Sequence, residues 1–169
     1  MHPALPLAAL LALFLAACSG TQAPTITLES AGVAGRTDEG VVLNFGLLAD
    51  NPNDDPLPLQ DVEYELFLDG KRVFAGTRSA EATVRRFGVQ RFTLPAVVPA
   101  ASGAPLTGTA PYRLVGKITY IAPGALAEAL FDIDVIRPTT PLGAEGTVDL
   151  DAAPQAPVPA AAPVPGVTG

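Results

Sequence analysis

One cysteine, Cys18, and one histidine, His2, are the whole thiol and imidazole inventory of this 169-residue chain, and tryptophan is missing altogether. A single Cys allows no intrachain disulfide. Charge is scarce as well: 16% of the residues are Asp, Glu, Lys or Arg, and 10 basic against 17 acidic groups leave a net charge of −7. Without a Lys/Arg run there is no electrostatic grip for nucleic-acid phosphates. A Gly-x-Ser-x-Gly elbow, a Walker loop and a Gly-x-Gly-x-x-Gly fingerprint are all absent, which removes the commonest sequence marks of hydrolase, nucleotide and dinucleotide chemistry. What the chain has in quantity is apolar residues, at 49%, with 18 Pro and 16 Gly. That apolar content excludes a highly charged disordered chain over the bulk of the length. The Pro and Gly content points to frequent punctuation within one ordinary domain with flexible ends.

From Ala4 to Ala17 the chain is uncharged and almost wholly apolar. Fourteen residues match the h-region of a secretory signal peptide and fall short of the roughly 20 needed to span a bilayer. Residues 1–17 are therefore expected to be a signal peptide, which would take His2 with it. The run ends in Leu15-Ala16-Ala17-Cys18 followed by Ser19-Gly20, which resembles the bacterial lipobox. That resemblance implies that Cys18 becomes the acylated first residue of the mature chain, bound to a membrane without spanning it. Ser19 in place of Asp after the cysteine implies, by analogy with Gram-negative lipoproteins, an outer-membrane anchor facing the periplasm.

Residues 18–24 read as a short polar tether. Residues 139–169 hold 6 Pro, 7 Ala and 4 Gly and no charged side chain after Asp151, so the expectation is a disordered Pro/Ala-rich tail. Between them, residues 25–138 are patterned with period two. Val41, Leu43, Phe45, Leu47 and Ala49 make one fully apolar strand face; Val62, Tyr64, Leu66 and Leu68 make another; and Tyr112, Leu114, Gly116, Ile118 and Tyr120 a third. Phe131, Ile133 and Val135 alternate with Asp132, Asp134 and Ile136 and are expected to form the last strand. Thr25–Ala31 and Gly88–Val97 complete the set, and 125–130 is either a strand entry or one helical turn. One wet and one dry face per strand indicates antiparallel sheets. Asp69-Gly70 predicts a two-residue type I′ hairpin that sets Leu68 opposite Lys71, Leu66 opposite Val73 and Tyr64 opposite Ala75.

The order of these features resembles the late-embryogenesis-abundant type 2 family, also known as the water-stress and hypersensitive-response (WHy) domain. The carrying residues are Ile26-Thr27-Leu28, Asn51-Pro52-Asn53, the run Val62–Val73 through Tyr64 and Gly70, Phe92-Thr93-Leu94-Pro95, and Tyr112–Ile118 through Gly116. The resemblance covers roughly residues 25–137. It implies an all-β antiparallel sandwich of the immunoglobulin/fibronectin III-like kind, with structural roles for Asn51, Pro52, Asn53, Tyr64, Gly70 and Gly116. Lipobox-bearing bacterial members are a known variety. The last strand departs from the family pattern, since Phe131–Pro138 lacks a central Gly.

If His2 is cleaved and Cys18 acylated, no imidazole or free thiol remains for zinc, triad or haem chemistry. Asp50, Asp54 and Asp55 with Asn51 and Asn53 offer oxygen ligands in one loop, but their spacing is not that of an EF-hand, and Asp and Asn form turns in their own right. Asp132 and Asp134 read either as an acid/base pair or as a solvent face. Arg85-Arg86 with Arg91, and Lys71-Arg72, read either as small anion patches or as part of a solvated face. The expectation is therefore a chain with no catalytic residue, no metal, no cofactor and no nucleic-acid partner. It would be a lipid-anchored envelope module for binding or for protection in water stress, its membrane partner held through Cys18. The alternative is an envelope carrier for an apolar ligand such as a lipid, held in a cleft between the sheets.

Overall fold

The computed structural model describes residues 20–154. The expected signal peptide, Cys18 and the chain from 155 onward lie outside the described residues. Among the described residues seven strands follow one another as β1 (Thr25–Thr37), β2 (Gly40–Asn51), β3 (Leu57–Leu68), β4 (Lys71–Val84), β5 (Gly88–Pro99), β6 (Thr109–Tyr120) and β7 (Thr139–Asp149). Among the described residues one α-helix, α1 (Ala125–Asp132), lies between β6 and β7, and a short 3-10 turn (Ala100–Ser102) follows β5. One sheet has the order β1-β2-β5 and the other β4-β3-β6-β7, with antiparallel pairing throughout. Among the described residues no helix is long and apolar enough to cross a membrane.

The alternation seen in the sequence decides which residues fill the space between the sheets. Val41, Leu43, Phe45, Leu47 and Ala49 of β2 are buried, as are Val62, Tyr64, Leu66 and Leu68 of β3. Leu94, Ala96 and Val98 come from β5, and Tyr112, Leu114, Ile118 and Tyr120 from β6. Phe45 and Tyr112 meet edge to face across the two sheets with ring centroids 5.4 Å apart, the arrangement that ring quadrupoles favour. At one edge Thr140 of β7 donates through Oγ1 to Pro24 O at 2.8 Å. Arg36, at the far end of β1, donates to the carbonyls of Leu106 and Leu150.

The hairpin forms where expected, with both central residues at positive φ, Asp69 at 49° and Gly70 at 75°. Its register departs from the expectation one step in. Leu68 faces Lys71, but a bulge between Leu66 and Phe67 then places Leu66 opposite Phe74 and Tyr64 opposite Gly76. The extra residue is Val73. The bulge turns Phe74 inward, where its ring lies 5.1 Å from that of Tyr64. An aromatic contact is thus gained at the expense of one ladder pair.

Two further expectations are corrected. The stretch 131–136 is not a strand: the helix-forming run Ala125–Leu130 extends into α1, and the chain then turns with Asp134 at φ 62°. Phe131 is buried, whereas Ile133 and Val135, expected beside it on a core face, are exposed. The seventh strand is instead Thr139–Asp149, inside the segment whose composition suggested disorder, and it pairs with β6 from Thr109 to Thr119. The ordered domain therefore runs to Leu150, which is fully buried, and does not end at residue 138.

Candidate functional site

Antiparallel order gathers the start of β1, the end of β2, the start of β3, the end of β4, the start of β5, the end of β6 and the start of β7 at one end of the molecule. Asn51-Pro52-Asn53 sits there, where the chain leaves β2 and crosses to the other sheet. Pro52 has no donor to offer a ladder and holds Asn51 in extended geometry, so pairing stops and the chain can turn. Asn51 is fully buried. Its Nδ2 donates to Asp55 O at 2.8 Å, Arg85 O at 3.1 Å and Val84 O at 3.3 Å. Its Oδ1 accepts from the backbone N of Asn53 at 3.0 Å and from Asn53 Nδ2 at 2.7 Å. One amide side chain thus ties the β2–β3 crossover to the β4–β5 turn.

Asn53 extends the knot outward. Its Nδ2 also donates to Gln22 O at 2.9 Å, its Oδ1 accepts from Gln22 N at 2.8 Å, and its carbonyl accepts from Phe87 N at 2.9 Å. Asn51 Oδ1 is thus doubly engaged and Asn53 Oδ1 holds Gln22, and among the described residues no three or more His, Cys, Asp or Glu side chains converge on a metal-sized site. The loop that holds Asp54 and Asp55 is a polar turn. It borders a groove of about 490 Å³ that Gln22, Phe87 and Pro123 also line.

Tyr64 and Gly116 face each other in the β3–β6 register, far from that knot. The Tyr64 hydroxyl crosses between the sheets to donate to Pro95 O. Burial pushes its phenol above the ordinary tyrosine range, slightly opposed by Arg78, and burial acts alike on Tyr112 and Tyr120. A phenol whose folded pKa is raised contributes stability that is fully present below the unfolded value of about 10 and is lost as the pH climbs through the folded value. The denaturant midpoint is therefore expected to fall between about pH 9 and pH 11, the range that brackets that unfolded pKa. Tyr64→Phe should weaken that fall while costing about 1 kcal/mol at neutral pH for the lost hydrogen bond. Denaturant titrations of both chains at the two pH values check this.

The family-motif residues therefore form no single site: the asparagine knot is at one end, Tyr64 and Gly116 in mid-sheet, and Gly70 at the opposite end. The basic groups are dispersed too. Arg91 makes a bidentate pair with Glu29 at 2.7 and 3.1 Å, and the hydrogen bond from Arg91 holds that carboxyl below its usual range. Arg72 pairs with Glu65 at 2.9 Å. Asp132 closes α1 and Asp134 lies in the next turn paired with Arg137, both exposed. They do not share a strand face. A shallow groove of about 570 Å³ on the outer face of β4-β3-β6 holds the Lys117–Glu63 pair at 3.1 Å. Gln22, whose backbone N–H and C=O bond the Asn53 side chain, and Arg36, whose guanidinium donates to distant backbone carbonyls, fasten the segment before β1 and the end of β7; both were missed from the sequence because a bond between one backbone and one distant side chain leaves no local pattern.

Residues 47–152 match the family model described as late embryogenesis abundant protein (LEA_2). The chain belongs to this family. The match runs from β2 to just past β7 and so includes the strand that composition had hidden. AT1g01470 of Arabidopsis thaliana, solved in solution, superposes with a TM-score of 0.60 at 14% identity, over 78% of this chain and 84% of that one. The solution structure of the late embryogenesis abundant protein At2g46140.1 gives 0.59 at 20% identity, over 84% and 78%. A crystal structure of a protein from Archaeoglobus fulgidus gives 0.50 at 14%, over 75% and 100%. At such identities the likeness is one of fold. No curated protein matches the sequence. Membership makes this LEA_2 chain a stress-related protein of a typically non-enzymatic family.

Proposed function

We propose that this LEA_2 protein is a non-catalytic module of a bacterial cell envelope, anchored through acylated Cys18 to the outer membrane facing the periplasm, that binds or protects envelope components in water stress. The observation that carries the non-catalytic reading is the state of the buried polar side chains. Asn51, Tyr64 and Thr140 hold backbone partners, and among the described residues no buried side-chain N or O lacks a hydrogen-bond partner. A catalytic group instead keeps a lone pair or proton aimed at substrate. The three-on-four strand order supports the immunoglobulin/fibronectin III-like assignment and, with the family match, the WHy-type reading. The anchor is supported by the apolar run that ends at Cys18. Protection is favoured over apolar cargo because fully buried Leu43, Phe45, Leu66, Leu94 and Leu114 occupy the space between the sheets, while the grooves named above lie on the outer face and at one end.

The test is survival of a deletion strain after drying and osmotic upshift. Wild type and the double variant Asp132→Asn/Asp134→Asn should both restore survival, with stability moved by only a few tenths of a kcal/mol. Cys18→Ser should not restore it. Undiminished survival of the deletion strain would remove the stress role. A double variant that folds and reaches the membrane yet fails to restore survival would reinstate those carboxylates as a catalytic pair.

A further inference from the structure

The two ends of the sandwich differ in character. At the end that holds the asparagine knot, Phe87, Val89, Leu126, Ile133, Val135 and Ile136 are each between 47% and 74% exposed. All six lie within the β4–β5 turn, the first turn-proximal residues of β5, or the β6–β7 connection with α1. The opposite end is built from Asp38-Glu39, Asp69-Gly70 and the loop 100–108, which are mostly exposed and polar or small, with Val97 near the end of β5 as its single comparably exposed large apolar side chain among the described residues. Exposed apolar side chains gathered at one pole of a soluble domain mark a surface that something covers.

We infer that this apolar end rests in the bilayer interface, with the exposed side chains of α1 and its flanking turns buried among the lipid headgroups. The inference rests on the anchor proposed above. The course of the chain argues for lipid as the occupant. Gln22 is clamped to Asn53 at this end by two hydrogen bonds, and Cys18 precedes it by four residues, at most about 14 Å of extended chain. Strands of about twelve residues put the opposite end about 40 Å away. A tether that short holds the apolar end, and not the polar one, against the membrane. Past Leu150, which is bonded to Gly108 at the opposite end, the chain leaves on the side away from the bilayer.

The local charge says which force operates. Asp54, Asp55, Glu128, Asp132 and Asp134 outnumber Arg85, Arg86 and Arg137 at this end. Attraction to anionic lipid is therefore not the driving term; apolar burial is, and contact should survive high salt.

Acylation of Cys18 leaves an introduced cysteine as the free thiol of the full chain. Leu126→Cys, Ile133→Cys and, at the opposite end, Ala101→Cys are labelled with an environment-sensitive fluorophore and reconstituted into phosphatidylcholine vesicles with or without spin-labelled phosphatidylcholine. All three positions are exposed, so the substitutions open no core cavity. Spin-labelled lipid should quench positions 126 and 133 at least twofold more than position 101, unchanged in 1 M salt. Intact mass of each preparation reports acylation separately. An acylated chain with equal quenching at both ends overturns the docking and leaves the anchor standing. Shielding of position 126 from aqueous iodide without lipid quenching overturns it in favour of a second copy. An unacylated mass removes the anchor and the docking with it.

Discussion

Gly116→Ala is expected to lower the thermal midpoint by about 12 °C, from a loss of about 3 kcal/mol at about 4 °C per kcal/mol for a domain of this size. The cause is steric and lies in the backbone. A Cβ on residue 116 would meet Tyr64 Cα and Cβ at 2.9 Å and come closer still to Glu63 O. None of these atoms belongs to the free end of a flexible side chain. They are part of β3, which is paired on its other side with β4, and Tyr64 is fastened across the core to Pro95 O. Relief requires β3 and β6 to separate where they are bonded, which loosens the Tyr64–Phe74 contact as well. The neighbouring Gly143→Ala supplies the control: no heavy atom lies within 4 Å of a Cβ there. Because Gly in a strand costs roughly 0.5–1 kcal/mol relative to Ala, that variant should be neutral or slightly more stable. Equal midpoints for the two variants would mean that β3 and β6 do not approach as closely at Gly116 as described.

The contrast between those glycines shows where sequence reading reaches its limit. Gly116 falls in a clean period-two strand and stands out only through family resemblance; the reason for it, a close strand approach, is a distance that no local pattern carries. The core faces of β2, β3 and β6 were legible because burial on one side of a sheet imposes alternation directly. The last strand was misplaced because two patterns competed. Phe131-Asp132-Ile133-Asp134-Val135 alternates, yet the helix formers before it carry the chain past Phe131 in α1. Thr140, Leu142, Ala144, Val148 and Leu150 also alternate, but the Pro and Ala content averaged over residues 139–169 concealed them. Strong signal at 155–169 diluted a real strand at 139–149. The bulge at Val73 was invisible for a different reason, since what decides it is the fit of Phe74 beside Tyr64. For the candidate site, the asparagine triplet was legible as a turn, whereas the complete burial of Asn51 was not.

That burial makes Asn51 the second large effect. Asn51→Ala should cost about 3 kcal/mol, because the carbonyls of Val84, Arg85 and Asp55 lose their shared donor and the Asn53 amide its acceptor, and buried groups left unpaired cost about 1–3 kcal/mol each before relaxation. Asn51→Asp separates hydrogen bonding from simple packing, since its shape is that of asparagine. One carboxylate oxygen still accepts from Asn53, but the other replaces the amide nitrogen and points at three carbonyl oxygens. Those dipoles and the lack of solvent both disfavour the ionised form, so the folded-state pKa of the new carboxyl should rise above its unfolded value of about 3.9. The folded state then binds the proton more tightly. The variant should be least stable near pH 7 and recover relative to wild type as the pH falls toward about 4, where one protonated oxygen can again donate. Asn53→Ala, whose bonds to Gln22 are at the surface, should lose only about 1 kcal/mol and show no such recovery. Denaturant midpoints of the three variants at the two pH values decide the matter. A flat pH response for Asn51→Asp, or a cost no larger than that of Asn53→Ala, would mean that the amide is not the donor joining the β2–β3 crossover to the β4–β5 turn.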